Sequence, residues 1–309
     1  MITSFLTVGQ QVLVLFVFIG IGFIIGKAKL LDTSASKGIT NIVLYVVVPA
    51  NIIVSFQGEF FGNKISVFAL VVLITVILHV INIVIAKLFS KDADAKKKNI
   101  MQFAAVFSNC GFIGYPLMSA ILGPTGVLYG SAFVVTSIVL IWVYGVYMIT
   151  GDKRNLSIRL ALFNPGVIGV AVAVILSLLG IKLSSFTMST LSSLASLNTP
   201  LPMMIIGYQM SKARFDSLLR HSGFWFSSLL RLVIFPLLSI IVVLLFPIPF
   251  TAALAVVIGS ATPAASIAGM FAERYGGNTE FTSSLITAQT ALSILTMPII
   301  VAVAQIFLS

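Results

Sequence analysis

Charge is scarce in this chain of 309 residues, of which 8% are charged and 59% hydrophobic, at a mean hydropathy of +1.15. No soluble domain covers its surface with so little charge, so the fold class read from composition is an all-α polytopic membrane protein. Acidic residues are scarcer than basic ones, 8 against 18, and none lies deep in an apolar run. Glu59 falls in one loop and the other seven in loops or at run ends, so the paired aspartates of a Na+/H+ exchanger are missing. One cysteine, Cys110, excludes an internal disulfide, and a lone thiol in an apolar run reads as packing before chemistry. There is no His-Glu-x-x-His, no phosphate-binding glycine loop and no Ser-His-Asp set. That argues against an intramembrane protease, an ATP-driven pump or another enzyme, and no catalytic residue, metal or cofactor is expected. The net charge of +10 does not point to nucleic acid, because the basic residues are scattered through short loops between apolar runs.

What the sequence does have is apolar runs. Ten of them read as spans, at 8–26, 39–56, 65–86, 100–122, 127–149, 165–181, 186–210, 224–246, 251–271 and 281–308. The first has no basic residue before it and Lys27 and Lys29 after it, the reverse of a signal peptide, so it is expected to be retained. Ten spans place the loops alternately on two sides. One set of loops holds fifteen basic residues between Lys27 and Arg274, among them Lys91, Arg214 and Arg220, and the other set holds Lys64 and Lys182. Arg231 is left inside a span. This bias predicts a cell-membrane protein with both termini outside. Five spans in each half make the halves inverted: residues 1–150, a basic linker 151–164 lying at the inner membrane surface, and residues 165–309. The linker ends in an Asn164-Pro165 helix start. Pro49 and Pro200, His79 and Arg231, and Pro116 and Pro263 recur at an offset of about 150 residues, which supports the repeat.

Two spans read as broken. Phe107 to Leu117 carries Gly111, Gly114 and Pro116 near the middle of the fourth span, and Gly259 to Met270 carries Pro263 in the ninth. Irregular backbone at membrane depth is tolerated only where it is buried in protein or lines a cavity, and paired interruptions in two halves point to a transporter's binding site. Half-helix N-termini there favour an anion, and a carboxylate substrate follows. Asn109 offers two donors and an acceptor beside the break, or else caps the broken helix. Thr262 and Ser266 supply hydroxyls, or bond back to their own helix. Arg231 is a charge partner or gate, or snorkels to the headgroups. His79 and Gln289 read as interhelical polar contacts, with a proton relay and site lining as the alternatives. Pro49, Asn51, Asn198, Thr199, Pro200 and Pro202 read as kinks.

These residues resemble the auxin efflux carrier family of bacterial permeases, relatives of the plant auxin carriers. The likeness runs through Gly22 to Leu31, Leu44 to Ala50, Ser108 to Pro116, Thr199-Pro200-Leu201 and Glu273 to Gly276, and the Ser108 to Pro116 motif is the most specific. The resemblance implies two inverted repeats of five spans in which broken spans 4 and 9 cross. Spans 1, 2, 6 and 7 would form a scaffold and a homodimer interface, and spans 3–5 and 8–10 a mobile transport domain. It further implies carriage of small organic anions such as malonate, malate or auxin-like acids by an alternating-access, elevator-type movement. It puts Asn109 in the substrate site; the residues around the two breaks, Cys110, Gly111, Gly114, Pro116, Thr262, Pro263 and Ser266, with Gln289, are the further substrate-binding candidates. One position departs: Ile267 stands four residues after Pro263, where relatives commonly carry Asn. A sodium-coupled anion symporter on a related crossover fold is the nearest alternative. A channel would need a continuous polar pore that these scattered polar positions do not supply.

Overall fold

The computed structural model describes residues 2–57, 64–89, 94–212, 218, 221–275 and 277–308, with side chains from Leu13 onward. Glu59, Lys91, Arg214, Arg220 and Gly276 lie outside these residues. Among the described residues all regular structure is helical. In chain order the helices are α1 (Ile2–Lys27), α2 (Thr33–Ile42), α3 (Val48–Gln57), α4 (Ile65–Phe89), α5 (Ala95–Val106), α6 (Tyr115–Leu140), α7 (Val146–Thr150) and α8 (Ile158–Leu162). The second half holds α9 (Pro165–Leu178), α10 (Ser185–Ala195), α11 (Pro200–Lys212), α12 (Ser222–Leu229), α13 (Phe235–Val243), α14 (Phe250–Ala261), α15 (Ile267–Arg274) and α16 (Thr279–Leu308). Five helical stretches are long and apolar enough to cross a membrane, and a sixth is counted if Lys153–Leu162 and Pro165–Leu178, bent by 40°, act as one. The chain is a polytopic helical membrane protein.

At Pro49, read from the sequence as a kink, and at two further prolines the helix widens into a π-turn. π-helical turns at Val43–Val47, Cys110–Gly114 and Leu230–Ile234 each precede a proline by two residues: Pro49, Pro116 and Pro236. A proline ring collides with the carbonyl four residues back, here that of Tyr45, Phe112 or Leu232. Each of these carbonyls lies inside its π-turn, where the widened backbone makes room. Gly123, with φ 64° and ψ −158°, divides the long stretch Cys110–Thr150 in two just before Pro124. The linker begins at the left-handed Gly151, and Asn164 caps α9 by accepting the Gly166 N–H at 2.9 Å with Pro165 in the first turn, as the sequence predicts.

Helices α1 and α11 lie against each other with backbones in contact. A Cβ on Gly22 would sit 2.6 Å from the Met204 carbonyl carbon, one on Gly207 2.7 Å from the Phe23 nitrogen, and one on Gly26 2.9 Å from the Ser211 Cβ. Gly22-x3-Gly26 thus meets Gly207-x3-Ser211, a pair of small-residue faces that allows close approach where lipid offers no hydrophobic drive. Elsewhere α3 packs on α9 and α10, while α4, α6 and α14 pack together, and α16 touches α14 as well as α1 and α11.

The fourth span breaks earlier than its glycines and proline suggest. α5 ends at Val106, Phe107 is extended (φ −98°, ψ 121°), and the chain turns helical again at Cys110. Gly111 and Gly114 therefore lie inside the π-turn that opens the second half-helix, and Pro116 follows that turn, its ring accommodated by the widened backbone.

Candidate functional site

The two breaks meet. Ser108 and Ala264 form an isolated antiparallel bridge. The Asn109 N–H donates to the Pro263 carbonyl at 2.8 Å and the Ala265 N–H to the Phe107 carbonyl at 2.9 Å. Local chemistry places both breaks. Thr262 precedes a proline and is pushed to extended backbone (φ −66°, ψ 150°), which ends α14. In the other strand Ser108 and Asn109 are residues whose short polar side chains compete with helix. Each unwound segment then satisfies the other's backbone groups, as their burial demands.

Four helix ends converge here, two of each sign. The C-terminal ends belong to α5 and α14, and Arg231 sits on both. From the π-turn at Leu230–Ile234 its Nη1 donates to the Ala105 and Val106 carbonyls at 3.2 and 2.9 Å, and its Nη2 to the Ser260 carbonyl. The side chain is 1% exposed, so the headgroup-snorkelling alternative fails. It is the one fully charged side chain among the described buried residues. The N-terminal ends are those of the Cys110–Gly114 turn and of α15. Between them the Asn109 Nδ2 donates to the Ser266 Oγ at 2.8 Å. Neither side chain makes a capping hydrogen bond to its own helix, so the amide does not act as a cap.

The remaining candidates divide. Gly111 is half-buried, and Gly114 lies where an added Cβ would stand 3.6 Å from the Thr262 methyl, so the half-helices touch at small residues. Cys110 is buried beside them. Thr262 turns its hydroxyl back to the Gly259 carbonyl at 2.9 Å, the expected helix-bonding alternative. Gln289 is not brought to the crossing: its Nε2 donates to the Ser227 Oγ at 3.1 Å, and Ser227 donates to the Met101 carbonyl at 3.0 Å. It ties α16 through α12 to α5. His79 bonds within its own helix, Nδ1 lying 2.8 Å from the Thr75 carbonyl, and packs by the rings of Phe107 and Phe133. No interhelical hydrogen bond from it occurs among the described residues. Tyr115 escaped the sequence reading, since nothing in the sequence marks its hydroxyl, which is fully buried without a hydrogen-bond partner among the described residues.

Beside the half-helix that starts at Cys110 lies a small cleft of about 40 Å³. Ile113 and Leu117 face Leu15, Phe16 and Ile19 of α1, Met203 and Ile206 of α11, and Thr290 and Ser293 of α16. Both hydroxyls bond back to α16, to the Ile286 and Thr290 carbonyls, leaving an apolar wall.

The chain matches the family described as membrane transport protein over residues 7–159 and 153–301, nearly its whole length. It belongs to the auxin efflux carrier family. Two archaeal relatives agree. An uncharacterized transporter of Methanothermobacter thermautotrophicus is 27% identical over 94% of this chain and 96% of its own. Another uncharacterized transporter, from Methanocaldococcus jannaschii, is 24% identical over 73% of this chain and 75% of its own. This auxin efflux carrier family member is a multi-pass membrane transporter, and the crossing is the polar centre of its described residues.

Proposed function

We propose that the chain is a secondary carrier of small organic anions that binds a carboxylate at the crossing and moves it by an elevator-type alternating-access step. The observation that carries this reading is the pairing of helix ends. Each helix terminus carries roughly half an elementary charge, so the two C-terminal ends together amount to about −1 and the two N-terminal ends to about +1. Arg231 offsets the negative pair, and no buried acid among the described residues offsets the positive pair. An anion of single charge complements what is left. The Asn109 amide and Ser266 hydroxyl supply polar contacts there, and Ile267 adds only an alkyl group. Thermal shift of the purified carrier against mono- and dicarboxylates tests this. A carboxylate at 100 times its dissociation constant stabilises by about 2.7 kcal/mol. Midpoints that respond to organic cations and to no carboxylate would sink the reading.

The architecture proposed with it is ten spans in two inverted repeats, spans 4 and 9 being the crossing pairs α5/α6 and α14/α15. In this reading the α1–α11 pair with α3, α9 and α10 serves as scaffold and homodimer surface, along which the rest slides. Sidedness has support in contacts between loops. Gln57, at the end of α3, holds the 181–183 loop through Ile181 and Leu183 at 3.3 and 3.0 Å, and Lys64 lies over Tyr129. At the opposite ends Lys97 lies over Phe281 and Lys87 over Tyr144. The lysine-poor side is the outer one by the positive-inside rule, which places both termini outside. With cysteines at Lys97 and Lys182 in a Cys110→Ala background, an impermeant reagent on intact cells is expected to label 182 and spare 97. The reverse pattern inverts the topology.

A further inference from the structure

We infer that the Arg231 guanidinium is a resident cation occupying the place where a coupling cation would bind, so cargo binding proceeds without Na+ or any other monovalent metal cation. This rests on the reading of the crossing as the anion site. In secondary transporters with broken helices, unwound carbonyls and half-helix C-termini are the groups that hold a coupling Na+. Here those groups are the Ala105, Val106 and Ser260 carbonyls, and all three accept from one side chain. The last carbonyls of a helix have no partner within it, so they remain a cation site until something fills them. A fixed +1 against roughly −1 of helix-end charge leaves no residual field to attract a second cation. Nor is a carboxylate available to build another site, since the described buried residues include no Asp or Glu.

The geometry requires arginine rather than lysine. Nη1 serves α5 while Nη2 serves α14, so one planar fork joins the two broken helices, which a single ammonium on a flexible stem cannot reproduce. The π-turn ahead of Pro236 sets where the fork leaves its helix. A cation bonded into the chain cannot be released on the other side of the membrane, and so cannot draw work from an ion gradient. The carrier is therefore not Na+-coupled, which removes the rival reading.

The test uses the purified full chain and its R231A and R231K variants in choline, sodium, potassium and guanidinium chloride at equal ionic strength, without cargo and then with a carboxylate. Wild-type thermal midpoints are expected to be the same in choline, sodium and potassium, and carboxylate affinity to differ less than about twofold among them. R231A, its carbonyls now vacant, is expected to have a lower midpoint in choline that guanidinium or Na+ raises. R231K is expected to fall between, without a Na+ response. Wild-type carboxylate binding that needs Na+ overturns the inference, and does so even if R231A fails to fold. An R231A midpoint that equals wild type, or is indifferent to which cation is present, overturns it too. The cargo-free midpoints stand apart from the carboxylate screen, so failure to find any bound anion would count against the proposed function alone.

Discussion

Gly207→Val is expected to lower the thermal midpoint of the purified carrier by roughly 6–12 °C and to cut its abundance in the membrane. The position has no room for a side chain: an added Cβ would overlap the Ile19 carbonyl oxygen and lie 2.7 Å from the Phe23 nitrogen. These are backbone atoms that cannot rotate away, so α1 and α11 must separate along their whole contact. Overpacking costs about 1–3 kcal/mol where neighbours can relax, and valine against backbone belongs at the upper end of that range. Gly22→Val should behave alike, since it faces Met204 at 2.6 and 2.7 Å. Gly20→Ala is the control, with nothing within 4 Å of its added carbon, and its midpoint should not fall. A wild-type midpoint for Gly207→Val would mean that the two helices do not touch.

The second large effect concerns cargo. Asn109→Ala is expected to weaken carboxylate binding about ten- to a hundredfold, from loss of a hydrogen bond to a charged group worth roughly 1.5–3 kcal/mol. Asn109→Asp should be worse, because it replaces donors with a negative charge beside the convergent N-terminal ends where the anion belongs. Had the amide been a helix cap, aspartate would substitute for it well and the order would reverse. The Nδ2 bond to Ser266 instead of to its own helix argues against that order. Ser266→Ala, which removes one neutral partner of Asn109, should cost less than either. Affinity and midpoint measured together separate the outcomes, and an aspartate variant that binds at full strength removes Asn109 from the site.

Much of this fold is legible in the residues themselves. Composition identifies a membrane protein, Pro263 marks the second break, and Asn164-Pro165 marks a helix start, because each is a local property of backbone or side chain. The first break is displaced because the eye goes to Gly111, Gly114 and Pro116. Phe107, Ser108 and Asn109 open there because they have a partner to pair with, and that partner, Pro263 to Ala265, is remote. Arg231 reads as either anchored or snorkelling for the same reason: its acceptors are backbone carbonyls, which every residue possesses and no sequence distinguishes. Gln289 reads as either glue or lining, and only the position of Ser227 decides it. The small faces at Gly22-x3-Gly26 and Gly207-x3-Ser211 were visible in the sequence, but their mutual contact was not.

The fork of Arg231 also has a history within each act of synthesis. Its α5 acceptor at Val106 lies 125 residues earlier in the chain, and its α14 acceptor at Ser260 only 29 residues later. On the ribosome the guanidinium is therefore made when one set of carbonyls is already in the membrane and the other does not yet exist. It must wait, half-compensated, until α14 follows. The pairing of Asn109 with Ser266, across 157 residues, closes later still. Contacts so distant in sequence form slowly, because the chain between them must be drawn in before they contribute. The centre of the carrier is thus closed only once α14 and Ser266 have been made, and a nascent chain that stalls before Phe250 leaves the guanidinium with its α5 acceptors alone.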